Sequence, residues 1–109
     1  MLDKFISENN VDRQGNPTGG HATGCGMKIE WQNGPLGRDG DRKEPNGAFV
    51  ETVIAAAKQR VEFYQKAKDG KFACTENAKA IEHLTLALDI LDKRTKDREA
   101  RKVEGTHAV

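Results

Sequence analysis

Residues 75–101, TENAKAIEHLTLALDILDKRTKDREAR, carry Ile81, Leu84, Leu88 and Leu91 at alternating steps of three and four, the spacing of one buried helix face. Further steps of three and four lead on to Arg94, Arg98 and Arg101. A guanidinium group does not enter a core without an anionic partner. Either these arginines splay into water, with Asp97 and Glu99 as local counter-charges and the helix C-terminus favouring cations, or the seam opens there onto something negatively charged. Arginine forks suit phosphate oxygens. Leu86, Ala87 and Ile90 form a second apolar set, off the main stripe. A helix apolar on two sides needs two neighbours, which points to a homo-oligomer with a two-fold pairing as its simplest form.

Upstream, Pro45-Asn46-Gly47 predicts the start of another long helix, with Asn46 as its N-cap. Val50, Ile54, Ala57, Val61 and Tyr64 form its seam, and Gly70 stops it. Phe72 and Cys74 fall in the connection and Thr75 caps the second helix. Two such helices joined by a short connection predict an antiparallel hairpin, the second overhanging the first. Phe72 is either a plug between the helices or an aromatic ring for stacking on a nucleobase. Trp31 has the same two readings. Asn77 either reads a polar ligand group or supports the helix cap.

Before the helices, Met27, Ile29 and Trp31 alternate with Lys28, Glu30 and Gln32, a strand signal. Asn33-Gly34 is a hairpin cue, although Pro35 suits a central partner strand poorly. Residues 36–44 read as a charged loop holding Arg38 and Arg42, and residues 1–24, with Gly15, Asn16, Pro17, Gly19 and Gly20, as turns or a flexible lead-in. The expected fold is α+β in one domain, 1–109. It comprises the lead-in (1–24), a small antiparallel β element and loop (25–45), and the helical hairpin with its C-terminal tail (46–107).

Composition limits the function. In 109 residues, 36% are hydrophobic and 32% charged, a polar mixture for a self-sufficient small domain, which oligomerisation would remedy. A net charge of +1 argues against general DNA binding. There is no membrane-length apolar run and no secretory segment, and two cysteines make no disulfide framework, so a cytosolic setting is expected. Gly19–Lys28 lacks the Lys-Ser/Thr pair of a phosphate loop and precedes a strand. His21, Cys25, Cys74, His83 and His107 show no zinc-type spacing, and no nucleophile stands beside a base. The expectation is a protein without metal, cofactor or catalytic machinery.

The motifs GMKIEWQNGPLGR over residues 26–38, NGAFVE over 46–51, RTKDREAR over 94–101 and VEGTH over 103–107 resemble the first type of Thoeris anti-defence sponge, a family of small phage proteins. These share a helical-hairpin domain with phage anti-CBASS sponges. The resemblance covers residues 20–107. It implies an antiparallel sheet packed on two long helices, assembled as dimers and in some members as hexamers. It implies binding without cleavage of glycocyclic ADP-ribose, made by a bacterial TIR-domain immune enzyme, in the host bacterial cytoplasm. The NAD-depleting effector then receives no signal. Some relatives bind cyclic di- or trinucleotides at separate sites. The implied contacts are Arg94 and Arg98 on the diphosphate, Phe72 against the adenine, Asn77 on base or ribose, and Arg42 or Arg38 closing over the ligand. Arg101 completes the stripe. A helical-hairpin adaptor with no nucleotide ligand is the competing expectation.

Overall fold

The computed structural model describes all residues, 1–109. Three strands, β1 (Phe5–Val11), β2 (Pro17–Gly24) and β3 (Met27–Trp31), are followed by two helices, α1 (Val50–Gly70) and α2 (Thr75–Ala100). The strands form one antiparallel sheet in the order β1-β2-β3, so the class is α+β. The chain divides into two compact units: residues 1–49 with 99–109, and residues 50–98.

The first unit begins where the sequence reads as a lead-in, and that expectation is corrected: residues 5–24 hold two strands. Their pairing depends on a turn built by Asp12. One carboxylate oxygen accepts the amides of Gln14 and Asn16 at 2.8 and 2.9 Å, and the other accepts the Asn16 carboxamide at 3.3 Å. The Asp12 amide donates to the Asn16 carbonyl at 2.9 Å, while Gly15 takes φ +83, open to residues without a Cβ. The Asn16 and Gln14 hydrogen bonds hold the Asp12 carboxyl below its ordinary value of 3.8. The charged form is therefore favoured in the fold, and its stabilisation, present above pH 3.8, is lost as pH falls through the lowered value. Asp12→Asn keeps the acceptor and removes the charge. Thermal unfolding is expected to show a lower melting temperature for it at pH 7, with the gap to wild type closing below pH 3.8.

At Gly20 a Cβ would collide with the Glu8 carbonyl of the neighbouring strand, so the close approach of β1 requires glycine there. Cys25 and Gly26 turn the chain into β3, which pairs back with β2 from Gly24↔Met27 to Gly20↔Trp31. Asn33-Gly34 therefore does not make a hairpin. The chain loops out and returns parallel to β3. Gln32 donates to the Ala48 carbonyl at 2.9 Å, and Ala48 donates to the Glu30 carbonyl at 2.7 Å. Asn46, the expected N-cap, is used in this return instead. Its carboxamide accepts the Asn33 amide at 2.8 Å and donates to the Asn33 carbonyl at 3.1 Å, while its own amide donates to the Gln32 side chain at 2.9 Å. An asparagine side chain imitates a peptide group, and here it extends the ladder by one rung. A Cβ on Gly47 would lie 2.6 Å from the Trp31 carbonyl. Ala22, 6% exposed, is the one buried residue of the whole chain. Ile29 and Trp31 are half-buried.

In the second unit, the α1 backbone is helical up to Lys66. Ala67 is extended, and Lys68, Asp69 and Gly70 take positive φ, so the helix ends three residues before the expected glycine. Gln65 secures the exit by accepting the Cys74 amide at 2.9 Å and donating to the Cys74 carbonyl at 3.1 Å. Cys74, one residue before the expected cap, then caps α2: its sulfur accepts the Asn77 amide at 3.4 Å. Along α2 the half-buried residues include Ile81, Leu84, Leu88, Leu91, Thr95 and Arg98, whereas Leu86 and Ile90 stand 48% and 67% exposed. On α1, Val53, Ile54 and Val61 are half-buried, and Val50, Ala57 and Tyr64 are exposed.

Candidate functional site

The arginine stripe does not continue the apolar stripe as one line. Beyond Leu91 the half-buried face passes through Thr95 to Arg98, while Arg94 stays exposed. The helical repeat of 3.6 residues explains the shift: Leu88, Leu91 and Arg94 make two steps of three in succession, which fall behind the turn, whereas the step of four from Leu91 to Thr95 keeps to the face. Thr95 donates its hydroxyl to the Leu91 carbonyl at 3.2 Å, which lets a polar residue occupy the seam. Arg98 thus carries its guanidinium from a partly covered stem, and Arg94 lies one turn earlier and open to solvent. Arg101 lies past the helix end and donates to the Val109 carbonyl at 3.1 Å.

A groove of about 440 Å³ in this unit is lined by Glu51, Leu88, Asp89, Asp92 and Thr95. Its carboxylates repel phosphate. Within the unit, then, the arginines lie on α2 and do not line the groove beside it.

Phe72 and Asn77 belong to the opposite end of α2. Phe72 is exposed in the connection, with the Lys71 ammonium 5.8 Å from its ring. Asn77 is half-buried in the first helical turn. Asn77 and Arg94 are separated by 17 positions of continuous helix, about 26 Å along the axis at ~1.5 Å per residue. Asn77 therefore lies toward one end of α2, with Phe72 in the connection before it, and Arg94 and Arg98 lie toward the other end.

The loop arginines are brought together in the first unit, and by the same partner. Arg42 donates through Nη1 to both carboxylate oxygens of Glu104, at 2.7 and 3.0 Å, and to the Gly37 carbonyl at 3.3 Å. Arg38 donates to the Glu104 backbone carbonyl at 3.0 Å. The Glu104 hydrogen bond raises the affinity of Arg42 for its proton above the ordinary value. The same unit holds an open concavity of about 600 Å³ on the sheet, lined by Asn10, Gly19, His21, Glu30, Trp31 and Asn33 among others. One lysine, Lys28, pairs there with Glu30 at 3.7 Å, so the concavity carries no cationic surplus for a diphosphate.

Two further features escape a reading by periodicity. Arg60 lays its guanidinium 4.9 Å from the ring centres of both Phe63 and Tyr64, and its Nε donates to the Tyr64 hydroxyl at 3.2 Å. The spacing of three and four residues is the available signal. Glu104 meets Arg42 across 62 positions, for which sequence spacing offers no signal at all. No helix is long and apolar enough to cross a membrane.

No family model matches the chain. A search of curated proteins finds 42% identity over 79 residues with the protein named Thoeris anti-defense 1 from Bacillus phage SBSphiJ7. The matched span is 72% of this chain and 51% of that protein, so the chain spans about half the length of its curated relative. Over that shared span the chain belongs to the Thoeris anti-defence family.

Proposed function

We propose that this chain acts against Thoeris defence by holding a cyclic ADP-ribose isomer, glycocyclic ADP-ribose, without cleaving it, at a site assembled from two copies in the host bacterial cytoplasm. One observation supports this reading above the others. Asn77 sits about 26 Å along α2 from Arg94, with Phe72 in the connection before α2, much farther than a cyclic dinucleotide-sized ligand reaches. An antiparallel partner brings the first end of one α2 to the second end of the other. Each of the two symmetric sites then receives an aromatic ring and an amide from one copy and guanidinium groups from its partner.

The exposure pattern favours such a partner. A chain with one buried residue, and with Leu86, Ile90, Val50, Phe63 and Tyr64 open to solvent, leaves most of its apolar surface uncovered. Pairing helices through these faces, with α1 and α2 as an antiparallel hairpin in each copy, removes that surface from water. Sequestration needs affinity and no bond-making. A nanomolar dissociation constant corresponds to about 12 kcal/mol. Two guanidinium–phosphate contacts and one ring stack, shielded at an interface, account for much of that.

The test is direct. The protein is incubated with glycocyclic ADP-ribose, freed of unbound ligand, heat-denatured, and the supernatant chromatographed. Recovery of intact ligand is the expected result. A converted product indicates an enzyme, and an empty supernatant indicates an adaptor. Calorimetry against cyclic di- and trinucleotides separates this ligand from the signals of CBASS defence.

A further inference from the structure

The segment after α2 is fastened to the loop of residues 36–43, and the fastening uses every kind of group available there. Lys102 takes φ +61 and ends the helix, which turns Val103–Thr106 back toward the loop. The loop itself is braced: Lys43 donates to the Leu36 carbonyl at 2.7 Å, and Asp41 and Arg42 donate to the carbonyls of Arg38 and Asp39. A backbone bridge joins the two segments where Gly37 donates to the Gly105 carbonyl at 2.8 Å. Gly105 has φ +79, and a Cβ there would collide with the Gly37 carbonyl. A Cβ on Gly37 would in turn lie 2.5 Å from the Asp41 carbonyl. Both glycines are therefore required for the approach. On either side of this bridge, Arg42 holds the Glu104 carboxylate and Arg38 holds the Glu104 carbonyl. The Glu104 side chain is only 21% exposed, so its charge is part-withdrawn from water and needs the guanidinium beside it.

We propose that Arg38 and Arg42 are positioning residues: through Glu104 they clasp the segment that follows α2. What the clasp does is local. Helix ends fray because their last carbonyls lack partners, and Arg98 lies in the last turn of α2. Tying down residues 103–105 suppresses fraying of the turn that presents Arg98. This consequence for ligand capture rests on the proposed function; the clasp itself does not.

The experiment compares full-length wild type with Glu104→Gln, Arg42→Ala and the double variant, without ligand, by amide hydrogen exchange. The Gly37 amide and residues 102–109 are expected to exchange roughly tenfold faster in each single variant, and no faster in the double, as for one shared interaction. The exchanged pair Arg42→Glu with Glu104→Arg restores most of the protection. Unchanged exchange at Gly37 in Glu104→Gln overturns the clasp. So does an Arg42→Ala protein that loses nucleotide capture while its tail exchanges as in wild type, because that marks a direct ligand contact. If wild type captures no nucleotide, the proposed function fails while the exchange data still decide the clasp.

Discussion

Replacing Arg98 with alanine is expected to abolish measurable capture of glycocyclic ADP-ribose, and replacing Arg94 to weaken it severely, while the ligand-free protein melts within a few degrees of wild type. Truncating one partner of a desolvated charge pair costs about 2–5 kcal/mol, which is roughly thirtyfold to several thousandfold in affinity. Arg98 stands at the upper end because it is half-buried, whereas Arg94 is open to water. The ligand-free state loses little. The side chain lies at a helix end, and surface substitutions of this kind shift stability by about 0.5 kcal/mol or less. Titration calorimetry and thermal unfolding on the same samples make the check. Retained capture with a large drop in melting temperature would assign these arginines to the scaffold.

Mixing two inactive variants is expected to restore activity. Arg98→Ala chains lack the guanidinium contact and Asn77→Ala chains lack the amide contact, so each protein alone captures poorly. Unfolded together and refolded, half of the random dimers contain one chain of each kind. In such a dimer one site receives both mutations and the other neither, so about a quarter of all sites are intact by two-fold symmetry. Capture should therefore return at about a quarter of the wild-type stoichiometry, with wild-type affinity. No recovery would mean that each site draws Asn77 and Arg98 from the same chain, which the length of α2 makes hard to satisfy.

The two helices and β3 were legible because their apolar residues repeat with a period that the backbone shares. β1 and β2 were not. FISENNV and PTGGHATG contain glycine, asparagine and glutamate at positions that an alternating pattern would fill with apolar residues, and every residue of β1 is exposed. These strands are specified by a carboxylate at the turn and by a glycine where chains approach, neither of which has a periodic signature. Asn33-Gly34 misled for a related reason: its backbone is claimed by Asn46, 13 positions away, and no local rule anticipates that. The site divides in the same way. An arginine-bearing end of α2 could be read directly from the spacing. The partners of the loop arginines could not, because the contacts of Glu104 with Arg42 and Arg38 are made in three dimensions. Thr95 takes the place of Arg94 on the covered face because the seam steps by four after Leu91, and a second step of three falls behind the helical turn.

The return of residues 46–48 alongside β3 has a consequence for assembly. It covers the Glu30–Gln32 end of one border of the sheet, and β1 is the outer strand on the other. Strand-to-strand joining between molecules is thereby hindered along that end of β3 and left to β1. For a protein with so little of its surface tucked away, a border shortened in this way works against stacking into open-ended fibrils.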